Sequence, residues 1–331
     1  MYEKLVVIAL GGNAIKQADE KGTTKEQFKN VDITAKQIAR ICKAGYLQVL
    51  THGNGPQAGA LLIQQEEAKE IVPPQTLACC GAMTQGQIGW MFQNRIGYHF
   101  SQQGLDYPVA TMITQVVVDK DDPDFQNPSK PVGPFYTEEE AMALKNAKNY
   151  IVKEAKPGRE KGWRRVVPSP RPVDIYEKIA IKQLLDIEAL VIVSGGGGIP
   201  IVKEDDGSYS GVDAVIDKDL SANKLGQVLN ADYLLILTDV ENAYINFNKP
   251  DQKTLETITL REAEKYQEEG QFAGGSMGPK MDAAMRFVRW GGKASMITSL
   301  DNALDALEGK TGTRIIMDRS TPSDKLEKNQ N

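Results

Sequence analysis

Four glycine-rich turns punctuate the chain: Gly11-Gly12-Asn13, Gly53-Asn54-Gly55, Gly195 to Gly198, and Gly274-Gly275-Ser276-Met277-Gly278. The first three each follow a short apolar run that reads as a buried strand: Leu5 to Leu10, Leu47 to Leu50 and Ala189 to Val193. A glycine turn between a strand and a helix lets backbone N–H groups converge on an anion. One such turn is weak evidence. Three in one chain point to several anionic groups held at once, as in phosphoryl transfer.

Two lysines stand where they would add charge to such turns. In Val215-Ile216-Asp217-Lys218-Asp219-Leu220-Ser221-Ala222, a strand end runs into a helix start. Asp219 is the expected N-cap, and Lys218 then lies beside a helix N-terminus that favours a phosphate. Lys280 follows Gly278-Pro279, with Pro279 expected at the first helical position and Met281, Ala284, Met285 and Val288 as the buried face. Solvated first-turn lysines fit the same residues, so local pattern leaves both readings open. Two better-known phosphate motifs fail. Gly309-Lys310-Thr311 resembles the end of a P-loop, but Leu304 occupies the required glycine position. Gly53-Asn54-Gly55-Pro56-Gln57-Ala58 fits the loose dinucleotide pattern. The following strand and its acidic residue are missing, because Ile71-Val72-Pro73-Pro74-Gln75 is poor strand material.

The elements that must position these groups alternate. Strand expectations at Leu5–Leu10, Leu47–Leu50, Val109–Ile113, Ala189–Val193, Tyr233–Leu237, Ala294–Ile297 and Arg314–Met317 are separated by helical stretches. Those helices are expected at Lys25–Lys43, Pro56–Lys69, Thr84–Phe100, Asp219–Leu229, Pro279–Trp290 and Leu300–Leu307. Alternation of this kind implies an α/β fold with a mostly parallel sheet between helices. Residues 119–173 break the rhythm, holding eight of the sixteen prolines and the basic run Lys156 to Arg165. Both a solvated excursion and a lid fit that composition.

The chain has 331 residues, enough for a sizeable core in one or two domains, and a net charge of −5 that disfavours a general nucleic-acid binder. No apolar run approaches the ~20 residues that span a bilayer, and the start of the chain lacks a signal-peptide pattern, so a cytoplasmic location is expected. Three cysteines (Cys42, Cys79, Cys80) show no disulfide framework. With only His52 and His99, a histidine-rich metal site or a Ser-His-Asp triad is hard to assemble.

Taken in order, Ile8 to Ala14, Thr51 to Gln57, Ala82 to Gly86, Thr114 to Asp119 and Asn127 to Phe135 resemble motifs of the amino acid kinase family. So do Gly162 to Pro170, Gly195 to Pro200, Val215 to Asp219, Leu237 to Val240 and Gly275 to Lys280. Each is modest alone, but the ordered set is specific. The resemblance implies a three-layer αβα sandwich around a mainly parallel sheet, spanning residues 1–318. Its N-terminal half would bind the acceptor and its C-terminal half the nucleotide. Residues 119–173 would form a protruding subdomain or lid, and 319–331 a polar tail. Many members carry a lysine just before the first Gly-Gly, where this chain has Ala9. The branch that uses carbamate as acceptor is similar in lacking it, and takes a lysine from the subdomain; Lys130 matches that position.

For that branch the implied reaction is ATP + carbamate ⇌ ADP + carbamoyl phosphate, with Mg²⁺ and usually a homodimer, in the direction of ATP during arginine catabolism. Lys130 would serve the transferring phosphoryl group and carbamate, and Lys218 and Lys280 the transferred group and nucleotide phosphates. Asp219 would orient the lysines. Backbone N–H groups of Gly11, Gly12, Asn13, Gly53, Asn54 and Gly55 would cradle carbamate and phosphate, with Gly195 and Gly196 nearby. Asp239, Tyr244, Met277 and Gly278 would border the nucleotide. Mg²⁺ would bridge nucleotide oxygens, with no dedicated carboxylate cage. Tyr244 fits a core position equally, His52 fits a polar turn residue, and Arg164-Arg165 fits a solvated run as well as a lid clasp. Two alternatives remain: a kinase for a larger acceptor such as glutamate or acetylglutamate, and a nucleotide sensor without turnover.

Overall fold

Side chains of the first strand, Lys4–Leu10, alternate between two apolar cores: Val7 and Ala9 join one, Val6, Ile8 and Leu10 the other. A strand covered on both faces by helices reads as a continuous apolar run, which is why this strand was legible. The computed structural model describes residues 4–272 and 277–318. Gly274, Gly275 and Ser276 of the fourth glycine turn, and the tail 319–331, lie outside the described residues.

The main sheet has eight strands among the described residues. Their order is Thr257–Thr259, Thr313–Ile316, Ala294–Ser299, Tyr233–Thr238, Lys4–Leu10, Tyr46–His52, Leu190–Ile192 and Val109–Thr111. Every neighbouring pair is parallel except Ala294–Ser299 with Thr313–Ile316. The helices Thr24–Lys43, Leu77–Gln102 and Ala303–Leu307 contribute to one core, and Lys178–Asp186, Lys218–Leu229, Leu260–Glu268 and Met277–Trp290 to the other. The expected three-layer αβα arrangement is therefore present. Fully burying a Leu, Ile or Phe side chain contributes roughly 1.5–3 kcal/mol, and Ile8, Leu10, Leu50, Ile88, Phe92 and Phe287 are all fully buried.

Several boundaries differ from expectation. The long helix begins at Leu77, capped by Thr76, whose Oγ1 accepts the Cys79 N–H at 3.2 Å. Its glycines weaken helical propensity, yet packing requires one of them: a Cβ at Gly89 would lie 2.2 Å from Thr111. Val215 and Ile216 form no strand; they run as coil, with the Val215 N–H donating to the Pro168 carbonyl at 3.0 Å. Pro279 is not the first residue of its helix, because Met277 and Gly278 are already helical.

Residues 119–171 leave and rejoin the body between two antiparallel neighbours, Gln115–Val118 and Pro172–Ile175. Within the excursion, Lys130–Tyr136, Trp163–Val167 and Val152–Glu154 make a three-stranded antiparallel sheet, with the helix Glu138–Lys148 beside it. A small apolar contact of Val132 and Val167 with Leu77 seats it on the body. Three ion pairs flank that contact: Lys130–Asp217 at 3.3 Å, Arg165–Asp213 at 2.6 Å and Lys148–Glu66 at 3.1 Å.

Candidate active site

Four neighbouring parallel strands end along one edge of the main sheet, and open α/β sheets bind ligands at that edge. Gly11 follows the first strand, Gly53 the second, Ser194 and Gly195 the strand Leu190–Ile192, and Asp239 the strand Tyr233–Thr238. The turns are in contact: a Cβ at Gly53 would lie 3.6 Å from the Gly12 nitrogen and 3.7 Å from Lys218 Cδ. One at Gly196 would lie 2.2 Å from Asn54 Nδ2. Asn54 is in turn fixed by donating to Thr84 Oγ1 at 2.8 Å.

Two of the six expected backbone donors are already committed. The Gly11 N–H donates to the Leu237 carbonyl at 3.0 Å, and the Gly53 N–H to the Leu10 carbonyl at 3.1 Å. Sheet pairing extends one residue past each strand and takes them. Gly12 and Asn13 open the short 3-10 turn Gly12–Ala14, and Gly55 begins the helix Gly55–Ala68 with Asn54 as its N-cap. Helix starts leave such N–H groups without intrahelical partners, so they suit an anion.

The third glycine turn leads into the strand Ile199–Lys203 rather than a helix. Ser194 is left-handed at φ 52°, and Gly196, Gly197 and Gly198 have φ of 69°, 93° and 89°. Thr51 Oγ1 donates to the Ser194 carbonyl at 2.8 Å and ties this turn to the second strand. Gln85 clamps the neighbouring segment, donating to the Thr114 carbonyl at 3.1 Å and accepting its N–H at 2.7 Å.

Lys218 and Lys280 converge although 61 positions separate Lys280 from Asp219. Asp219 is buried and bridges them: Oδ1 is paired with Lys218 and Oδ2 lies 3.4 Å from Lys280 Nζ. Lys280 is itself only 8% exposed, which removes the solvated-lysine reading. The helix cap is Asp217, not Asp219. Asp217 has extended φ/ψ and its Oδ1 accepts the Asp219 N–H at 2.9 Å. Its Oδ2 meets Lys130 Nζ at 3.3 Å, so the excursion's lysine joins the cluster. Burial works to raise the Asp217 carboxyl, but Lys130, the Asp219 N–H and Lys218 outweigh it and hold the carboxyl below its ordinary value. Three ammonium groups against two carboxylates leave one net positive charge, a compensated cluster still suited to anions.

Sequence reasoning missed Asp217, although an aspartate directly before a helix is a cap signal. It also missed Thr84 and Gln85 as supports for the loops. Asp239 accepts from Thr238 Oγ1 at 2.9 Å, and a Cβ at Gly11 would lie 3.8 Å from Thr238 Cα, so this corner adjoins the first turn. Tyr244 meets the Phe247 ring at 6.0 Å, and Met277 packs against the core. Gly278 closely approaches the Phe272 carbonyl, 2.8 Å from where a Cβ would sit. No helix among the described residues is long and apolar enough to cross a membrane.

His52 is buried at the end of the second strand, with Nδ1 2.9 Å from the Gly53 carbonyl. A carbonyl only accepts, so Nδ1 carries the proton in this contact. Burial lowers the pKa from 6.5 to about 4, against the opposing hydrogen bond to Gly53. The imidazole is therefore neutral near pH 7, and it packs where a Cβ at Gly195 would come within 2.4 Å. Between about pH 6.5 and 4 the unfolded chain binds the extra proton, so stability should fall as pH is lowered through that window. Urea unfolding of His52→Gln should show a flatter dependence there, by up to ~1.4 kcal/mol per pH unit. An unchanged slope would contradict the neutral buried imidazole.

Beside the cluster lies a cavity of about 150 Å³, lined by Asn54, Gly55, Lys130, Gly133, Arg164 and Gly196 among others. Arg164 is half-buried, donates from Nη2 to the Gly133 carbonyl at 2.7 Å and stacks 4.9 Å from the Phe135 ring.

A model of the amino acid kinase family matches residues 4–299. A carbamate kinase of Thermococcus kodakarensis is 52% identical over 316 residues, covering 95% of this chain and 99% of that protein. One from Clostridium perfringens is 48% identical over 315 residues, covering 94% of this chain and 99% of that protein. Among solved structures, a carbamate kinase from Giardia lamblia bound to AMP-PNP superposes with a TM-score of 0.91 at 52% identity, covering 95% of this chain and 99% of that one.

Proposed function

The chain belongs to the amino acid kinase family, and from that premise we propose that it is a kinase of carbamate, catalysing ATP + carbamate ⇌ ADP + carbamoyl phosphate. The observation that supports this acceptor is the source of the third lysine. Ala9 is wholly buried and offers no charge before the first glycine turn, whereas Lys130 reaches the Lys218–Asp219–Lys280 cluster from the excursion through Asp217. The near relatives named above are carbamate kinases, and one was solved with an ATP analogue.

Carbamate is already an anion, so its oxygen needs no general base. That oxygen attacks the γ-phosphorus of ATP, the bond from phosphorus to the bridging β–γ oxygen breaks, and ADP leaves with the electron pair. Catalysis is then alignment and charge neutralisation. Lys130 neutralises the phosphoryl group on its acceptor side. Lys218 and Lys280 bind the transferred group and nucleotide phosphates, and Asp219 holds both ammonium groups in place. N–H groups of Gly12, Asn13, Asn54 and Gly55 cradle the oxygens, with Gly195 and Gly196 shaping the floor. Thr238 and Asp239 border the nucleotide, with Tyr244, Met277 and Gly278 farther along that side.

Asp217 and Asp219 are both committed to lysines, and the described residues contain no cluster of three metal-ligating side chains. Mg²⁺ would accompany the nucleotide and would neutralise phosphate charge there, while Asp217 and Asp219 stay paired with their lysines. The excursion acts as a lid over the acceptor. The protein is a cytoplasmic homodimer working toward ATP in arginine catabolism. Ile33, Trp90 and Tyr98 on two packed helices are exposed apolar surface for a second copy. A monomer mass by light scattering would remove that part alone.

The deciding assay supplies carbamoyl phosphate and Mg-ADP and measures ATP. The expected result is ATP formation, with no phosphorylation of glutamate or acetylglutamate in the reverse direction. No ATP above the uncatalysed background from folded protein would overturn the reading.

A further inference from the structure

We propose that Arg164 is a substrate-binding residue on the acceptor side, where its guanidinium holds the planar carbamoyl end of the substrate while Lys130 holds the phosphoryl side. This rests on the carbamate reading above. Arg164 and Lys130 line the same cavity, together with the start of the helix Gly55–Ala68 and the glycine turn at Gly196. They differ in how their charge is met. Lys130 has Asp217 at 3.3 Å. The neighbouring Arg165 has Asp213 at 2.6 Å. Arg164 has only the Gly133 carbonyl as a polar partner among the described residues, and its Nε–H is buried with none. Buried donors are nearly always satisfied, so this one calls for an acceptor that the described protein does not supply.

Among the described residues no carboxylate pairs with Arg164, and a second cation stands close by. Lys156 sits 4.5 Å from the face of the same Phe135 ring that Arg164 stacks on. The Gly133 carbonyl and the Phe135 ring anchor the guanidinium from two sides. A planar fork fixed in this way suits a planar, oxygen-bearing group better than a tetrahedral phosphate that any ammonium can bind. Carbamate and the carbamoyl moiety are planar and small. Arg164 thereby favours a small planar acceptor in the cavity of about 150 Å³ that it lines with Lys130.

The test is steady-state ATP formation by Arg164→Met and Arg164→Lys, with thermal unfolding of each. In Arg164→Met, KM for carbamoyl phosphate should rise about 10- to 100-fold, while KM for Mg-ADP stays within about twofold of wild type. Arg164→Lys should recover little, because a point charge does not replace a planar fork. Added guanidinium should partly restore an Arg164→Ala variant. Unchanged KM for carbamoyl phosphate would overturn the assignment. So would equal rises in both KM values with a lowered unfolding temperature, since Arg164 would then be a strut for the Gly133 turn. Calorimetric titration of carbamoyl phosphate without nucleotide separates this inference from the reaction. Wild-type protein that binds it without turnover, with binding lost in Arg164→Met, would overturn the reaction and keep the site. Absent binding by the wild type would overturn both.

Discussion

Lys218→Ala should lower kcat for ATP formation by about 10²- to 10³-fold, the usual loss when one pre-positioned charge donor is removed from a transferring group. Lys218 is held on two sides. Its ammonium pairs with Asp219 and its stem lies against the open Cα of Gly53. The loss should fall on kcat more than on KM, because the charge that Lys218 meets grows as phosphorus passes between oxygens. Asp219 would be left buried with Lys280 at 3.4 Å as its remaining lysine partner. A buried carboxylate that loses the nearer of its two ammonium partners is destabilised, so Asp219→Asn should restore some stability to the Lys218→Ala protein while itself lowering kcat. The two substitutions should combine to less than the product of their separate losses, since they act on one cluster. Lys218→Ala with near-normal kcat would remove this cluster from the mechanism.

That cluster shows what the sequence could and could not convey. A lysine beside a helix start is visible as an anion candidate one segment at a time, so Lys218 and Lys280 could each be marked. Their convergence on one carboxylate comes from packing of the helices Lys218–Leu229 and Met277–Trp290, which no local spacing encodes. The cap was misplaced by two residues for a related reason. Asp217 and Asp219 are the same residue type, and only backbone geometry shows that Asp217 is extended and accepts the amide hydrogens. Glycine turns were legible as turns, but the Gly11 and Gly53 donors are taken by the sheet, because pairing runs one residue beyond the strands Lys4–Leu10 and Tyr46–His52. Arg164 could be read from the sequence only as part of a basic run. Its place over the Phe135 ring, across a bulged pair of strands, is set by tertiary packing that no local spacing encodes.

The fold divided along similar lines. Central strands such as Lys4–Leu10 and Tyr233–Thr238 are apolar on both faces, so each is a continuous hydrophobic segment. The excursion's strands carry proline (Pro131, Pro134) and charge (Lys153, Glu154, Arg164, Arg165), a composition shared with irregular surface loops. Its placement next to the site came through family resemblance, which matched Lys130, and not through periodicity. The apolar spacing of the long helix runs from Ile88 to Phe100, whereas its first turns contain Gly81 and adjacent cysteines. The Thr76 cap and tertiary contacts outweigh that weak local preference.

Gly197→Ala should be the most damaging single-methyl change in the site, lowering unfolding free energy by about 2–5 kcal/mol from backbone strain and overpacking together. Gly197 has φ of 93°, and a Cβ there would lie 2.2 Å from the Ile216 carbonyl oxygen and 2.8 Å from its carbon. Backbone cannot swing aside as the end of a side chain can. Relief must come from moving Ile216, which directly precedes the cap Asp217 and is itself buried. Displacing that cap shifts the amide it holds at Asp219 and the ammonium it holds at Lys130. The variant should therefore lose kcat even at temperatures where it remains folded. Gly45→Ala is the control. Gly45 has φ of 87° but nothing within 4 Å of the added methyl, and it lies in the turn before the second strand, away from the site edge. It isolates the cost of the left-handed backbone, about 1–2 kcal/mol, and should leave kcat unchanged. Urea unfolding and ATP formation of both variants measure the difference. Equal unfolding midpoints would mean that the Ile216 contact relaxes freely, and that the glycine turn does not set the position of the helix that carries Lys218 and Asp219.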